Sequence, residues 1–396
     1  MTAVADATRH DERRAAAVAF GAHALHDGYT DLIYVLLPVW QAEFGLAYAA
    51  LGLLKTIFSA SLAAFQVPSS LVAERFGAPL VLALGTALAG FGYCLAGASS
   101  GLPVLVVALI VSGLGASTQH PLAAAMIARA FSGARARAAL GAYNFAGDIG
   151  KMTVPAIGSL LLVALSWRHA VALLGGVGLI VAIALYVFAP RLAPTAPAQA
   201  KPAKVAGRGT GHFGFPLLLG VGIIDSATRM GFLTFLPFVL TAKGASIPTI
   251  GLALTFVFAG GAAGKLVFGF VGARLGTVAT VWLTEIVTAA GIAALLPLSL
   301  AAAMLLLPAV GVALNGTSSV LYGSVPDFVE PERHSRAFGI FYTGTIGAGA
   351  LAPTLYGLLG DTVGVPTALL VVASAVLLTL PLTLALRPAL AAAQAN

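Results

Sequence analysis

Long apolar runs, each ended by a short polar or Gly/Pro turn, follow one another along almost the whole of this 396-residue chain. A bilayer core ~30 Å thick is crossed by about 20 consecutive apolar residues in a helix. In lipid every backbone N–H and C=O needs an internal partner, which helices supply within one segment. The pattern therefore restricts the chain to an all-α polytopic membrane protein. Composition agrees, with 59% apolar residues, 9% charged residues and a mean hydropathy of +0.98, far from a soluble domain.

The runs predict spans over residues 15–40, 48–73, 78–98, 102–128, 138–165 and 168–189. A second set follows over 214–241, 247–272, 277–297, 299–325, 336–359 and 364–386. Between the sets, APTAPAQAKPAK and GRGTGH have the Pro, Gly and basic content of a linker. The expected organisation is a cytoplasmic tail over 1–14, a six-helix bundle over 15–189, a cytoplasmic linker over 190–213, a second six-helix bundle over 214–386 and a cytoplasmic tail over 387–396. The polar, mixed-charge start reads as a tail, because no small-residue cleavage site follows it.

Basic residues set the expected orientation. Fifteen Lys and Arg, among them Arg13, Arg75, Arg135, Lys201 and Arg274, fall on one side, against Arg168 and Lys243 on the other. This bias predicts an inner-membrane protein with both termini in the cytoplasm and an even number of spans. The net charge of +7 comes from cations scattered singly between apolar runs, without the aromatic-interleaved patch of a nucleic-acid binder. The lone cysteine, Cys94, sits within an apolar run and reads as a small buried hydrophobe; it excludes an intrachain disulfide.

An internal repeat divides the chain. At an offset of 198 to 199 residues, Asp27 falls on Asp225, Asp31 on Arg229, Pro38 on Pro237, Gly52 on Gly251, Gln66 on Lys265, Arg75 on Arg274 and Gly77 on Gly276. Gly141 and Pro155 fall on Gly339 and Pro353. Two bundles of equal orientation, related by a pseudo-twofold axis, are the plan of a rocking carrier with its site between the halves.

The turn Ser70-Leu-Val-Ala-Glu74-Arg75-Phe-Gly77, with its second copy Gly269-Phe-Val-Gly-Ala273-Arg274-Leu-Gly276, resembles the hallmark loop of the major facilitator superfamily. The resemblance covers nearly the whole chain and implies twelve helices in two bundles. It also implies that Glu74, Arg75 and Arg274 take part in gating; a positive-inside turn is the plainer account of the second copy, which lacks the acid. Within the superfamily, His23-Ala-Leu-His26-Asp27, the stretch from Tyr34 and Pro38 to Glu43-Phe44-Gly-Leu46, and Gly113-Leu-Gly115-Ala-Ser-Thr-Gln-His120-Pro121 resemble the fosmidomycin-resistance exporters. The chain departs from that group at His26, where the group has an amide, at Leu122, where it has an acid, and at Asp148 and Lys151 in an otherwise uncharged fifth span.

Charge within a bilayer costs ~2.5–3.5 kcal/mol per residue on insertion scales, so each instance needs a reason. Asp27, Asp31, Lys55, Asp148, Lys151, Asp225, Arg229, Lys265 and Glu285 all fall inside predicted spans. His23, Asp27 and Asp31, spaced i, i+4 and i+8, share one helical face that Tyr34 extends, and Asp225 and Arg229 repeat the spacing. The repeat predicts that these faces are opposed across a central cavity. Asn144, Asp148 and Lys151 form a face of the fifth span, where Asp148 either neutralises Lys151 or joins the site directly. Glu285, on the ninth span, reads as structural, and the segment from Pro326-Asp327 to Arg336 as a loop with solvated charges. Gly260, Gly264 and Gly141 read as close-packing positions.

A carboxylate whose proton affinity changes with the direction of opening is the simplest coupling device. Asp27 is the first candidate and Asp225 the second, with Arg229 as a moving partner; His26 and His120 also titrate near neutrality. For His120 a buried imidazole bonded to backbone is the alternative. His23, Asp31, Tyr34, Lys55, Asn144, Asp148, Lys151, Arg229 and Lys265 are the candidate substrate contacts, and the cations suit a carboxylate or phosphonate.

The expected function is proton-coupled transport of a small organic, anionic molecule by alternating access, as a monomer without cofactor and, by the exporter resemblance, as an efflux antiporter. Import by proton symport is one alternative. Export of a divalent metal on His23, His26, Asp27 and His120 is another, weakened because the adjacent His26 and Asp27 are expected to point to different sides. No nucleophile motif or phosphate loop suggests an enzyme.

Overall fold

The computed structural model describes residues 2–131, 133–189, 213–329 and 334–394. Residues 190–212 of the expected linker, with Arg191, Lys201, Lys204 and Arg208, lie outside the described residues, as do Pro331, Glu332 and Arg333. In chain order the helices are α1 Thr2–Phe44, α2 Tyr48–Phe76, α3 Ala78–Gly97, α4 Leu102–Ala116, α5 Gln119–Ala130, α6 Gly133–Ala164 and α7 Trp167–Phe188. After the linker come α8 Gly214–Ala242, α9 Ile247–Leu295, α10 Leu300–Ser324, α11 His334–Val363, α12 Val365–Val376 and α13 Thr379–Gln394.

Ten of the described helical segments are long and apolar enough to cross a membrane: α2, α3, α4 with α5, α6, α7, α8, each half of α9, α10 with its extension, and α12 with α13. The helices α1 and α11 are long enough, at 43 and 30 residues, and complete the twelve. Polar insertions dilute α1, which carries His23, His26, Asp27 and Asp31.

Three departures from the expected boundaries have local causes. Residues 2–14, expected as a tail, continue α1, since Ala, Arg and Glu are strong helix formers, and Glu12 pairs with Arg135 at the start of α6. The fourth span breaks between α4 and α5, because Pro121 has no N–H and its ring clashes with the carbonyl four residues back, at Ser117. The Ser117 and Thr118 hydroxyls meanwhile donate to the carbonyls of Leu114 and Gly115. Pro381 and Leu377 have the same spacing at the break between α12 and α13.

The eighth and ninth spans run together as α9, kinked at Gly276 with φ 78° and ψ 166°. Gly77, its repeat counterpart before α3, has φ 89° and ψ 137°. Both backbones lie in a region that side chains disfavour, so the two turn glycines of the repeat have one physical reason. Pro38 and Pro237 likewise sit inside α1 and α8, and Pro155 and Pro353 inside α6 and α11.

Packing divides the chain into two compact units that do not follow the repeat boundary strictly. The first is Met1–Gly45, Ile57–Pro197 and Ser246–Thr255; the second is Leu46–Thr56, Ala198–Ala245 and Phe256–Asn396. In the first, α1 lies directly on α6. A Cβ built on Gly150 would run into the Ala24 carbonyl oxygen, and one on Gly147 into His23 Nε2 and Asp27 Oδ2. Tyr29 donates to the Leu174 carbonyl of α7, and Tyr93 on α3 donates to the Tyr29 carbonyl. Arg168, one of the two cations on the basic-poor side, donates to Glu43 Oε1 at 2.7 Å and to the Ser99 carbonyl at 2.9 Å.

In the second unit Gly260 and Gly264 of α9 meet the Pro308 and Val312 carbonyls of α10, the close packing expected of them. Gly141, by contrast, has open space where a Cβ would stand. Lys243, the other cation on the basic-poor side, closes α8 and donates to the carbonyls of Leu296 at 2.7 Å and Leu298 at 2.6 Å. The first backbone amides of α2 belong to this unit. Tyr48 N donates to Asp361 Oδ1 at 2.7 Å and Ala49 N to Oδ2 at 2.9 Å, so a carboxylate at the end of α11 caps α2. After α10, Val325–Phe328 forms a 3-10 turn with Val325 and Phe328 buried and Asp327 exposed.

Candidate functional site

Among the described residues, each unit buries charged residues that meet one another. In the first, α1 supplies His23, His26 and Asp27, all buried, one helical turn apart or adjacent. Because α6 approaches α1 through Gly147 and Gly150, Lys151 reaches across, with Nζ 3.3 Å from Asp27 Oδ2. His23 Nε2 lies 3.6 Å from the same oxygen, and His26 Nε2 lies 3.8 Å from Oδ1. The break before α5 sets His120 beside α1, with its Nε2 3.3 Å from His26 Nε2, within hydrogen-bonding reach. The Tyr143 ring stacks on His23 with centroids 4.0 Å apart.

The expectation that His26 and Asp27 point to different sides is corrected. Successive residues differ by about 100° around a helix, but the short Asp side chain and the longer imidazole lean toward one another. The ligand atoms of His26, Asp27 and His120 lie within 4.8 Å of one another.

The second cluster lies in the other unit. Asp225 and Arg229, one turn apart on α8, have NH2 and Oδ2 3.7 Å apart, and Arg229 NH1 donates to Ser318 Oγ of α10 at 2.9 Å. Glu285, from the second half of α9, is 1% exposed, and the hydroxyl of its neighbour Thr284 is 2.6 Å from that of Thr317, the residue before Ser318 on α10. Its repeat counterpart carries no charge and its helix looked peripheral, so no periodicity linked it to α10.

The remaining expected positions divide by exposure. Asp31, Tyr34, Lys55 and Asp148 are buried, Lys265 and Lys151 are half-buried, and Asn144 is exposed. Lys151 pairs with Asp27 on α1. Lys55 packs in the second unit, one residue before Thr56, whose hydroxyl donates to the Ala350 carbonyl of α11 at 2.6 Å. Glu74, Arg75 and Arg274 are exposed; Arg75 lies over the Phe76 ring, 5.5 Å from its centroid. Tyr143, Thr317 and Ser318 were missed by sequence reasoning, since an uncharged polar residue in a membrane helix gives no signal of its own.

The model for the Major Facilitator Superfamily matches residues 19–219 and again 217–396, once for each half. The chain belongs to the Major Facilitator Superfamily. As a facilitator it is a membrane transporter and not an enzyme. It is similar to a probable sulfoacetate transporter of Cupriavidus necator, 29% identical over 147 residues, which are 37% of this chain and 34% of that protein. It is also similar to the fosmidomycin resistance protein of Escherichia coli, 24% identical over 140 residues, 35% of this chain and 34% of that one. The match therefore spans about a third of the length of these curated relatives. The fold of the facilitator matches a crystal structure of a bacterial homolog to the human lysosomal transporter Spinster, with a TM-score of 0.73 and 15% identity over 96% of both chains.

Proposed function

We propose that this facilitator moves a small organic anion across the bacterial inner membrane together with protons, with both termini cytoplasmic, as a monomer. The observation that carries this proposal is the Lys151–Asp27 ion pair at 3.3 Å. While Asp27 is ionised it occupies the ammonium. A proton on Asp27 removes its negative charge from beside the ammonium and strengthens the attraction of Lys151 for an anion, so proton and anion bind cooperatively. The other titratable groups around Asp27, His23, His26, His120 and the Tyr143 phenol, keep the same sign. Protonation of any imidazole adds positive charge beside the anion.

Cooperative loading is the logic of symport, whereas exchange requires competition for one site. The ion pair thus favours proton–anion symport, one of the two alternatives to the efflux antiport suggested by the exporter resemblance. A carboxylate or sulfonate suits the Lys151 ammonium, and sulfoacetate, named for one relative, carries both groups. Among the described residues, Arg229 is likewise engaged by an acid, Asp225.

The proposal is tested in proteoliposomes with labelled sulfoacetate and a panel of small carboxylates. An inward proton gradient should drive accumulation of at least one anion. Exchange of internal protons for external anion, with accumulation driven from an acidic lumen, would restore the antiport assignment. Flux of the whole panel that ignores the gradient would remove proton coupling.

A metal cargo is the second reading, because His26 Nε2 and His120 Nε2 are 3.3 Å apart, close to the roughly 3.3 Å between two nitrogens bound at ~2.0–2.1 Å to one tetrahedral ion. Against it, the Lys151 ammonium is within 3.3 Å of the third donor residue, Asp27, and opposes a dication. Transport of Zn²⁺ without any organic anion would decide for metal.

A further inference from the structure

The repeat sets Ala47 against Ser246, each the residue just before a helix, α2 and α9. Both helices start on the basic-poor side. The Ser246 hydroxyl caps its own helix, accepting from Thr249 N at 3.4 Å and lying 2.9 Å from the Thr249 hydroxyl. Ala47, whose carbonyl accepts the first bond of α2 from Leu51 N at 3.1 Å, has no side-chain oxygen with which to cap. The cap of α2 comes instead from the other half of the chain. Asp361, at the end of α11, accepts from Tyr48 N at 2.7 Å and Ala49 N at 2.9 Å, one amide to each carboxylate oxygen. At the offset of 198 the first half has Val163, so this carboxylate has no repeat counterpart.

Packing below the cap keeps α2 against α11. The Thr56 hydroxyl donates to the Ala350 carbonyl at 2.6 Å and lies 2.8 Å from the Thr354 hydroxyl. A Cβ on Gly52 would run into the Pro353 carbonyl, and one on Gly357 would stand 2.5 Å from the Tyr48 carbonyl oxygen. The Tyr48 ring meets Phe238 of α8 edge-on, with centroids 5.2 Å apart.

We infer that Asp361 is a gating residue: it caps α2 only while the start of α2 lies on α11, and so holds the carrier closed on the basic-poor side. The inference rests on the reading of the chain as a rocking carrier and not on its proton coupling. A carrier that opens to that side parts α2 of one half from α11 of the other. On parting, the Tyr48 and Ala49 amides lose their carboxylate, whereas α9 takes Ser246 along with it. The closed state is thus favoured by one helix cap, or about fivefold in population. The latch stands at the opposite end of α2 from Glu74 and Arg75, which the superfamily turn implicates in gating.

Spin-label distances measured by double electron–electron resonance on the purified full-length protein test the latch. In a Cys94→Ala background, nitroxides are attached through Leu53→Cys with Leu358→Cys at the latched end, and through Phe76→Cys with Ile340→Cys at the other; all four positions are exposed. Asp361→Ala should raise the ratio of long to short distances in the first pair about fivefold and shorten the second pair in step. Unchanged distances would overturn the inference. Ala47→Ser added to Asp361→Ala separates gating from helix stability. The new hydroxyl should restore hydrogen-exchange protection at Tyr48 and Ala49 while the distances stay shifted, because such a cap travels with α2. Distances that return to their original values would equally overturn the latch and leave Asp361 a helix cap alone. Gly52→Ala, which crowds the Pro353 carbonyl, tests the rocking itself. If it lengthens the first pair and Asp361→Ala does not, the latch falls and the rocking reading stands; if neither variant moves either pair, both fall.

Discussion

Lys151 Nζ lies 3.3 Å from Asp27 Oδ2, an ion pair that ties α6 to α1 where Gly147 and Gly150 bring the helices together. Both partners are mostly buried, with side chains 28% and 9% exposed. Removing one partner leaves a carboxylate stranded among imidazoles, whereas removing both leaves a neutral gap. The asymmetry yields a stability prediction and a transport prediction from the same contact.

Lys151→Met should destabilise the purified protein by about 2–4 kcal/mol, somewhat under the full cost of stranding a buried charge because the ammonium is partly exposed. The double variant Asp27→Asn with Lys151→Met should recover most of that loss. Denaturant or thermal unfolding in detergent measures both, and additive losses would mean the two residues do not interact.

Asp27→Asn imitates the protonated acid and permanently removes its charge from beside Lys151. Anion binding should then lose its tightening at low pH, measured as the ratio of apparent Kd at two pH values, and gradient-driven accumulation should fall to background while anion exchange continues. Accumulation at the original level would take Asp27 out of coupling.

Gly150 is a second point of control over the same pair. Any side chain there meets the Ala24 backbone carbonyl, which has no rotamer to change. Gly150→Ala should cost about 1–3 kcal/mol through overpacking and move Lys151 away from Asp27, weakening the pH dependence of anion binding as well. The matching change at Gly141, a helical position where nothing lies within 4 Å, should carry no such cost and leave the pH dependence unaffected.

Asp361 caps α2 through Tyr48 N and Ala49 N. Asp361→Ala should cost about 1 kcal/mol, the usual value of a lost helix cap, and should raise amide hydrogen exchange at Tyr48 and Ala49 selectively. Unchanged protection at those two amides would show that water replaces the carboxylate at no loss.

Gly276 and Gly269 separate backbone strain from helix propensity. Gly276 has φ 78°, so Gly276→Ala should destabilise by about 1–3 kcal/mol. Gly269 is helical with open space around it, so Gly269→Ala should stabilise by roughly 0.5–1 kcal/mol. Equal effects in thermal unfolding would mean that the kink is not imposed by Gly276.

Much of the fold was legible because hydrophobic runs and turn residues act locally. Apolar length marked the spans, and Gly77 and Gly276 marked equivalent turns that the structure closes with the same positive φ. Where two signals competed, local chemistry won: Pro121 broke a run that hydropathy alone joined, and Ala-rich charged residues extended α1 through an expected tail. Part of the site was legible too. Expense in lipid singled out Asp27, Lys151, Asp225 and Arg229 before any geometry. Glu285 was visible by the same rule, but its placement beside α10 was not, because that depends on how the helices pack.

By itself, then, the sequence determined that the chain crosses a membrane in two related sets of helices and that a small number of charges must be explained there. Helical periodicity could go only as far as neighbours three or four residues apart, as for Asp225 with Arg229 and His23 with Asp27. Tertiary structure decided which charges meet. Lys151 met Asp27 of another helix, and His26 met His120 across 94 residues. The physical reason is that such pairings depend on how closely helix backbones approach, which Gly147, Gly150 and the break at Ser117 set only once the helices are packed.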